Sequence, residues 1–123
     1  MAAQQDFLGE LQQVQFRTPV AILKEQVALL GQKTGHLVSA KVVSETRGST
    51  FIHRFALVVP ALDEYSYELF LIQHGVDLYP VTGFLGSDPV LRAEAEFANW
   101  LRETLSPAET KRIISNLLAQ VNS

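Results

Sequence analysis

A chain of 123 residues has room for one hydrophobic core and too few residues for two ordinary domains, so a single α+β domain over 1–123 is expected. Hydrophobic residues make up 47% and charged residues 19% of it, which excludes a disordered polymer, and a net charge of −3 without a run of like charge argues against nucleic acid as a partner. No cysteine is present, so disulfides, thiol nucleophiles and cysteine-ligated metals are excluded.

No apolar run approaches the roughly 20 residues of a membrane span, and the first residues lack a basic stretch followed by an apolar one. No membrane partner is expected, and the cytoplasm is the expected compartment.

Residues 4–16 place Phe7, Leu8, Leu11 and Val14 on one stripe, which predicts a short amphipathic first helix. Thr18-Pro19 reads as an N-cap followed by a proline at the first helical position, where a missing N–H costs nothing. The helix it starts is predicted over 19–33, with Leu23, Val27 and Leu30 buried and Gly31 or Gly35 ending it.

From residue 36 to 84 the pattern changes to strands rich in β-branched and aromatic residues. Four are predicted, at about 37–46, 50–59, 67–73 and 76–84. The first two join across Gly48-Ser49, a glycine-first pair suited to a type II′ turn, and the last two across His74-Gly75. Pairing Thr46 with Phe51 and Gln73 with Val76 fixes the faces, because alternate residues share one. One face then gathers Val38, Ala40, Val42, Phe55, Leu57, Val59, Tyr67, Leu69, Leu71, Val76, Leu78 and Pro80, a core face.

Asp88-Pro89 opens a further helix whose apolar stripe is Val90, Ala93, Phe97, Trp100, Leu101 and Leu105. Ser106 and Glu109 form a capping box for a last helix that buries Ile113, Ile114, Leu117, Leu118 and Val121. The fold expected is α+β, a four-stranded antiparallel meander flanked by N-terminal and C-terminal helices in the order ααββββαα.

No phosphate loop, dinucleotide fingerprint, nucleophile elbow or zinc-protease motif is present, and no cofactor or metal is expected. Alternation puts His53 and His74 on opposite faces, which argues against a shared metal site. His53 falls on the core face beside Ser44 and Gln73, a polar row that offers a ligand pocket or a proton acceptor for a small enzyme or sensor, with an acid such as Glu94 or Glu103 carried in from a helix. No carboxylate on that face orients the imidazole, and a row where an apolar face emerges into water is also what a structural histidine needs.

The opposite face carries Lys41, Arg54, Ala56, Phe70 and Tyr79, with Ala56, Phe70 and Tyr79 aligned in one row across three strands. Aromatic residues around an arginine, with charges at the edge, match the make-up of protein interfaces, unless a helix covers the row. The function expected is a small non-enzymatic interaction module, of the immunity, chaperone or adaptor kind, that binds a protein partner or forms a homodimer. A nucleic-acid surface would require Lys24, Lys33, Lys41, Arg47 and Arg54 to converge.

Overall fold

The computed structural model describes residues 5, 7–12, 17–84, 89–105 and 108–123. Helix α1 (Pro19–Lys33) leads into strands β1 (Ser39–Arg47) and β2 (Thr50–Val59), a short 3₁₀ turn (Pro60–Leu62), and strands β3 (Tyr65–His74), β4 (Val81–Phe84) and β5 (Val90–Leu91). Helices α2 (Glu94–Leu105) and α3 (Ala108–Val121) follow. The sheet is an antiparallel meander in the order β1-β2-β3-β4-β5, so the fold is α+β with helices before and after one sheet.

Local chemistry explains the best-defined ends. The Thr18 hydroxyl accepts the Ala21 N–H at 3.2 Å and Pro19 opens α1, as the N-cap reading requires. Gly35 and His36 both turn left-handed after that helix, with φ of 60° and 65°, and the His36 N–H donates to the Gly31 carbonyl at 2.8 Å. In the β1–β2 hairpin Gly48 is at φ 61°, the positive value that a type II′ turn demands at its first central position. Thr46 lies opposite Phe51 as predicted, and the register runs without interruption to Ser39 opposite Val58.

One irregularity governs the rest of the sheet. Between β2 and β3 the pairing shifts, so that Ala56 faces Glu68 while the next residue, Phe55, faces Phe70. Leu69 is the extra residue, and beyond it every β3 side chain changes face. Phe70, Ile72 and His74 therefore join Phe55 and His53, while Leu71 and Gln73 turn away.

Three helices close over the first of these faces. Ile22 and Leu23 of α1 and Phe97 and Leu101 of α2 pack with Ala40, Phe55, Phe70, Ile72, Val81 and Leu91. Leu117 of α3 packs with Val38, Leu57 and Val59, supported by Ile113, Ile114, Leu118 and Val121, the stripe predicted for the last helix. Phe70 stacks on Phe55 at 5.1 Å and meets Trp100 edge-on at 5.3 Å.

Four expectations are corrected. Residues 7–12 of the predicted first helix are not helical. Val76 is exposed and precedes the fourth strand, because residues 75–80 form a loop in which Leu78 holds a positive φ of 73° and the Tyr79-Pro80 bond is cis. His74 pairs with Val81, not Gln73 with Val76. Val90 and Leu91 form β5 against β4, so the helix predicted from Pro89 begins only at Glu94. The Ser106 cap and Asp88 lie outside the described residues.

Gly83 sits where a side chain has no room: a Cβ there would fall 2.5 Å from the Trp100 ring. Gly83→Ala should therefore destabilise by on the order of 1–3 kcal/mol, read as a lower urea midpoint at unchanged slope. An unchanged midpoint would mean that the indole is free to move aside.

Candidate functional site

The face change in β3 assembles a polar chain that alternation without the bulge would not give. Ser44 on β1 lies directly opposite His53 on β2, and its hydroxyl is 2.7 Å from His53 Nδ1. His53 Nε2 is 2.9 Å from His74 Nε2, and His74 Nδ1 is 2.7 Å from the carbonyl oxygen of Gly75. Both imidazoles are buried, and the rings stack on one another at 5.0 Å, with Phe51 stacked on His74 at 5.4 Å.

The carbonyl at the end of this chain sets its proton order. Gly75 can only accept, so His74 carries its proton on Nδ1. With both rings neutral, His74 Nε2 accepts from His53 Nε2–H, and His53 Nδ1 accepts from the Ser44 hydroxyl. Every donor and acceptor then has a partner, which is what burial demands of polar groups. The arrangement is a serine whose proton acceptor is held in place by a second histidine, the order of parts found in nucleophilic sites.

Electrostatics work against His53 as a base near neutral pH. Burial first, then the neighbouring His74 and then the charge of Lys24 on α1, push its pKa down from 6.5 to about 4. A cavity of about 550 Å³ lies between the helices and Phe55, Leu57 and Leu69, and Ser44, His53 and His74 are not among the residues that line it. No group of three or more metal-ligating side chains occurs among the described residues.

The predicted site residues are thus redistributed. Ser44 and His53 meet, but Gln73 is on the other face, opposite Ile52 and Thr82, and His74 takes its place. Glu94 is engaged elsewhere, its carboxylate accepting from the Arg17 backbone N–H at 2.9 Å and from the guanidinium at 3.2 Å. The row of Ala56, Phe70 and Tyr79 does not form. Phe70 is 2% exposed in the core, and Tyr79 packs against that core and donates its hydroxyl to the Arg17 carbonyl at 3.2 Å. Partial burial and the nearby Glu94 carboxylate raise the Tyr79 pKa, so the phenol keeps the proton this bond needs.

Lys41, Arg54 and Ala56 do share the second face, with Val43, Glu45, Ile52, Glu68, Leu71, Gln73, Thr82 and Phe84. None of these belongs to the two cores that the helices cover. Arg54 bridges Glu68 at 3.1 Å and Glu45 at 3.3 Å, and Arg47 stands 3.8 Å from Glu45. Lys24 and Lys33 belong to α1 and Lys33 lines the cavity on the helical side, so the five cations of a nucleic-acid surface do not converge.

The depressed His53 pKa predicts the acid sensitivity of the fold. The unfolded chain takes up this proton at its ordinary pKa of 6.5 and the folded chain only at about 4. Stability from this group is therefore complete above pH about 6.5, falls as the pH drops towards about 4, and loses no more below that. Urea unfolding at steps across this window should show a shallower acid loss in His53→Asn than in the parent chain, and equal slopes would refute the assignment.

No known protein family, curated protein or solved structure matches the chain, so the reading of its site rests on the residues themselves.

Proposed function

We propose that the chain is a small non-enzymatic interaction module that binds protein through the uncovered face of its sheet, and that a second copy of the chain is the occupant this face suits best. The observation that supports this reading is the one-sided architecture. The hydrophobic cores join the helices to one sheet face, and on the other Val43 is exposed and Leu71 and Phe84 are half-buried among charges, with Ile52 and Ala56 buried beneath them.

Both signs of charge lie on this surface. Lys41, Arg47 and Arg54 stand beside Glu45 and Glu68, so a two-fold axis through the patch sets cation against carboxylate in each direction, as an isologous contact requires. The ion pairs of Arg54 are partly exposed and add little to the fold by themselves, which leaves them free to take part in recognition.

Val43, 46% exposed near the middle of β1, gives the test. Val43→Glu adds a charge where the fold tolerates one, within about 0.5 kcal/mol of the parent. Sedimentation velocity over a concentration series should show a dimer for the parent and a monomer for Val43→Glu, with superimposable circular dichroism. A monomeric parent would overturn the self-association.

A second reading, a small hydrolytic enzyme, is favoured by one observation, the hydrogen-bonded order Ser44, His53, His74. Against it stands the low His53 pKa, since a general base works best near the operating pH. Turnover of a chromogenic ester that Ser44→Ala abolishes and Val43→Glu retains would establish this second reading.

A further inference from the structure

The two edges of the sheet are unequal. Strand β5 ends one of them with Val90 and Leu91, too short a stretch to template another chain, whereas β1 lines the other with nine residues, Ser39–Arg47. Proteins commonly blunt a long edge with a proline or a bulge, and β1 has neither.

The β1–β2 hairpin decides which groups this edge presents. Across a two-residue turn the flanking pair, Arg47 and Thr50, shares its hydrogen bonds, and the ladder alternates from there. Arg47, Glu45, Val43, Lys41 and Ser39 therefore turn their N–H and C=O groups towards β2, while Thr46, Ser44, Val42 and Ala40 turn theirs outwards. Val38 agrees with this phase: its N–H donates to the Thr34 hydroxyl at 3.3 Å and its carbonyl lies 2.6 Å from the same oxygen, so neither group goes to β2. No backbone hydrogen bond reaches the outward groups of Ala40, Val42, Ser44 or Thr46 among the described residues.

We infer that β1 pairs antiparallel with β1 of a second copy about a two-fold axis at Val43, joining the two sheets into one. The inference rests on the reading that the partner is a second copy, and it sets the axis of that dimer at the β1 margin of the uncovered face. Two independent features select the register. The first is the extent of the edge. Centred on Val43, Ala40 meets Thr46 and Val42 meets Ser44, so every outward residue finds a partner. A step one way would bring Thr46 against Val38, which Thr34 already holds, and a step the other way would bring Ala40 against Gly48 in the turn.

The second feature is charge. The same axis sets Lys41 opposite Glu45 on either side of Val43, at the non-hydrogen-bonded positions where side chains come closest. In the shifted registers Lys41 faces Val43, or faces Arg47 as a like charge. Lys41 is exposed and makes no ion pair among the described residues. Glu45 is held at this margin by Arg54 at 3.3 Å and Arg47 at 3.8 Å, and Val43, 46% exposed, meets its own copy across the axis.

Amide exchange on the parent chain reads this pairing directly, because the Val42 and Ser44 N–H groups face water in a monomer and donate to the other copy in the dimer. Hydrogen–deuterium exchange followed by NMR at a low and a high protein concentration should show both amides slowed at least about tenfold at the higher one. The chain has no cysteine, so Val43→Cys can be oxidised cleanly; it should give a disulfide-linked dimer, while Leu71→Cys, on β3 within the same face, stays unlinked. Lys41→Glu sets carboxylate against carboxylate in both pairs and should weaken the dimer roughly tenfold in sedimentation. A dimer whose Val42 and Ser44 amides exchange equally fast at both concentrations overturns the edge pairing and leaves a face-to-face contact standing. Linking of Leu71→Cys in place of Val43→Cys does the same, as does a dimer unweakened by Lys41→Glu. A monomeric parent overturns both the edge pairing and the self-association on which it rests.

Discussion

The single extra residue at Leu69 is the constraint from which the rest of this molecule follows. By opposing Phe55 to Phe70 and Ala56 to Glu68, it makes two successive residues of β2 skip one residue of β3. The half of β3 beyond the skip then delivers Phe70 and Ile72 to the helices and His74 to His53. Undo it, and Leu71 and Gln73 would face inward with Leu69 while the imidazole of His74 would face out. The aromatic stack of Phe55 and Phe70, the edge contact with Trp100 and the buried histidine pair are three results of one backbone event.

What could be read in the sequence depended on whether the local chemistry was decisive. Thr18-Pro19 and Gly48-Ser49 leave little choice, the first because a proline tolerates only the first helical turn, the second because a positive φ falls on the glycine. The register of β1 on β2 and the stripe of α3 therefore came out of pattern alone. Leu69-Phe70-Leu71-Ile72 is different. Four apolar residues in a row satisfy either face, and no glycine or proline marks the bulge, so alternation counted from the turn put Phe70 on the wrong side. The same miscount placed Gln73 beside His53 and concealed His74. Its one warning was that unbroken run, which fits a bulge as well as it fits a strand buried on both sides.

A similar imitation occurred at residues 76–80. Val76, Leu78 and Pro80 alternate as a strand would, yet Leu78 holds a left-handed backbone that a bulky side chain seldom adopts, and the pairing with β3 begins only at Val81. The alternation of side chains was present without the backbone that normally produces it. Of the candidate site, Ser44 and His53 were legible because they lie on the hairpin with the unambiguous turn. Their third partner lay past the bulge.

The apolar run that carries the bulge also has a bearing on how the chain reaches its fold. A β3 strand docked one residue out of step still offers leucines to the helices, so the mispaired hairpin buries nearly as much oil as the correct one. Discrimination then falls to what lies beyond the bulge, where Phe70 must stack on Phe55 and His74 must find His53. In the competing register His74 would lie on the other face, so the imidazole pair exists only where the strands are correctly aligned.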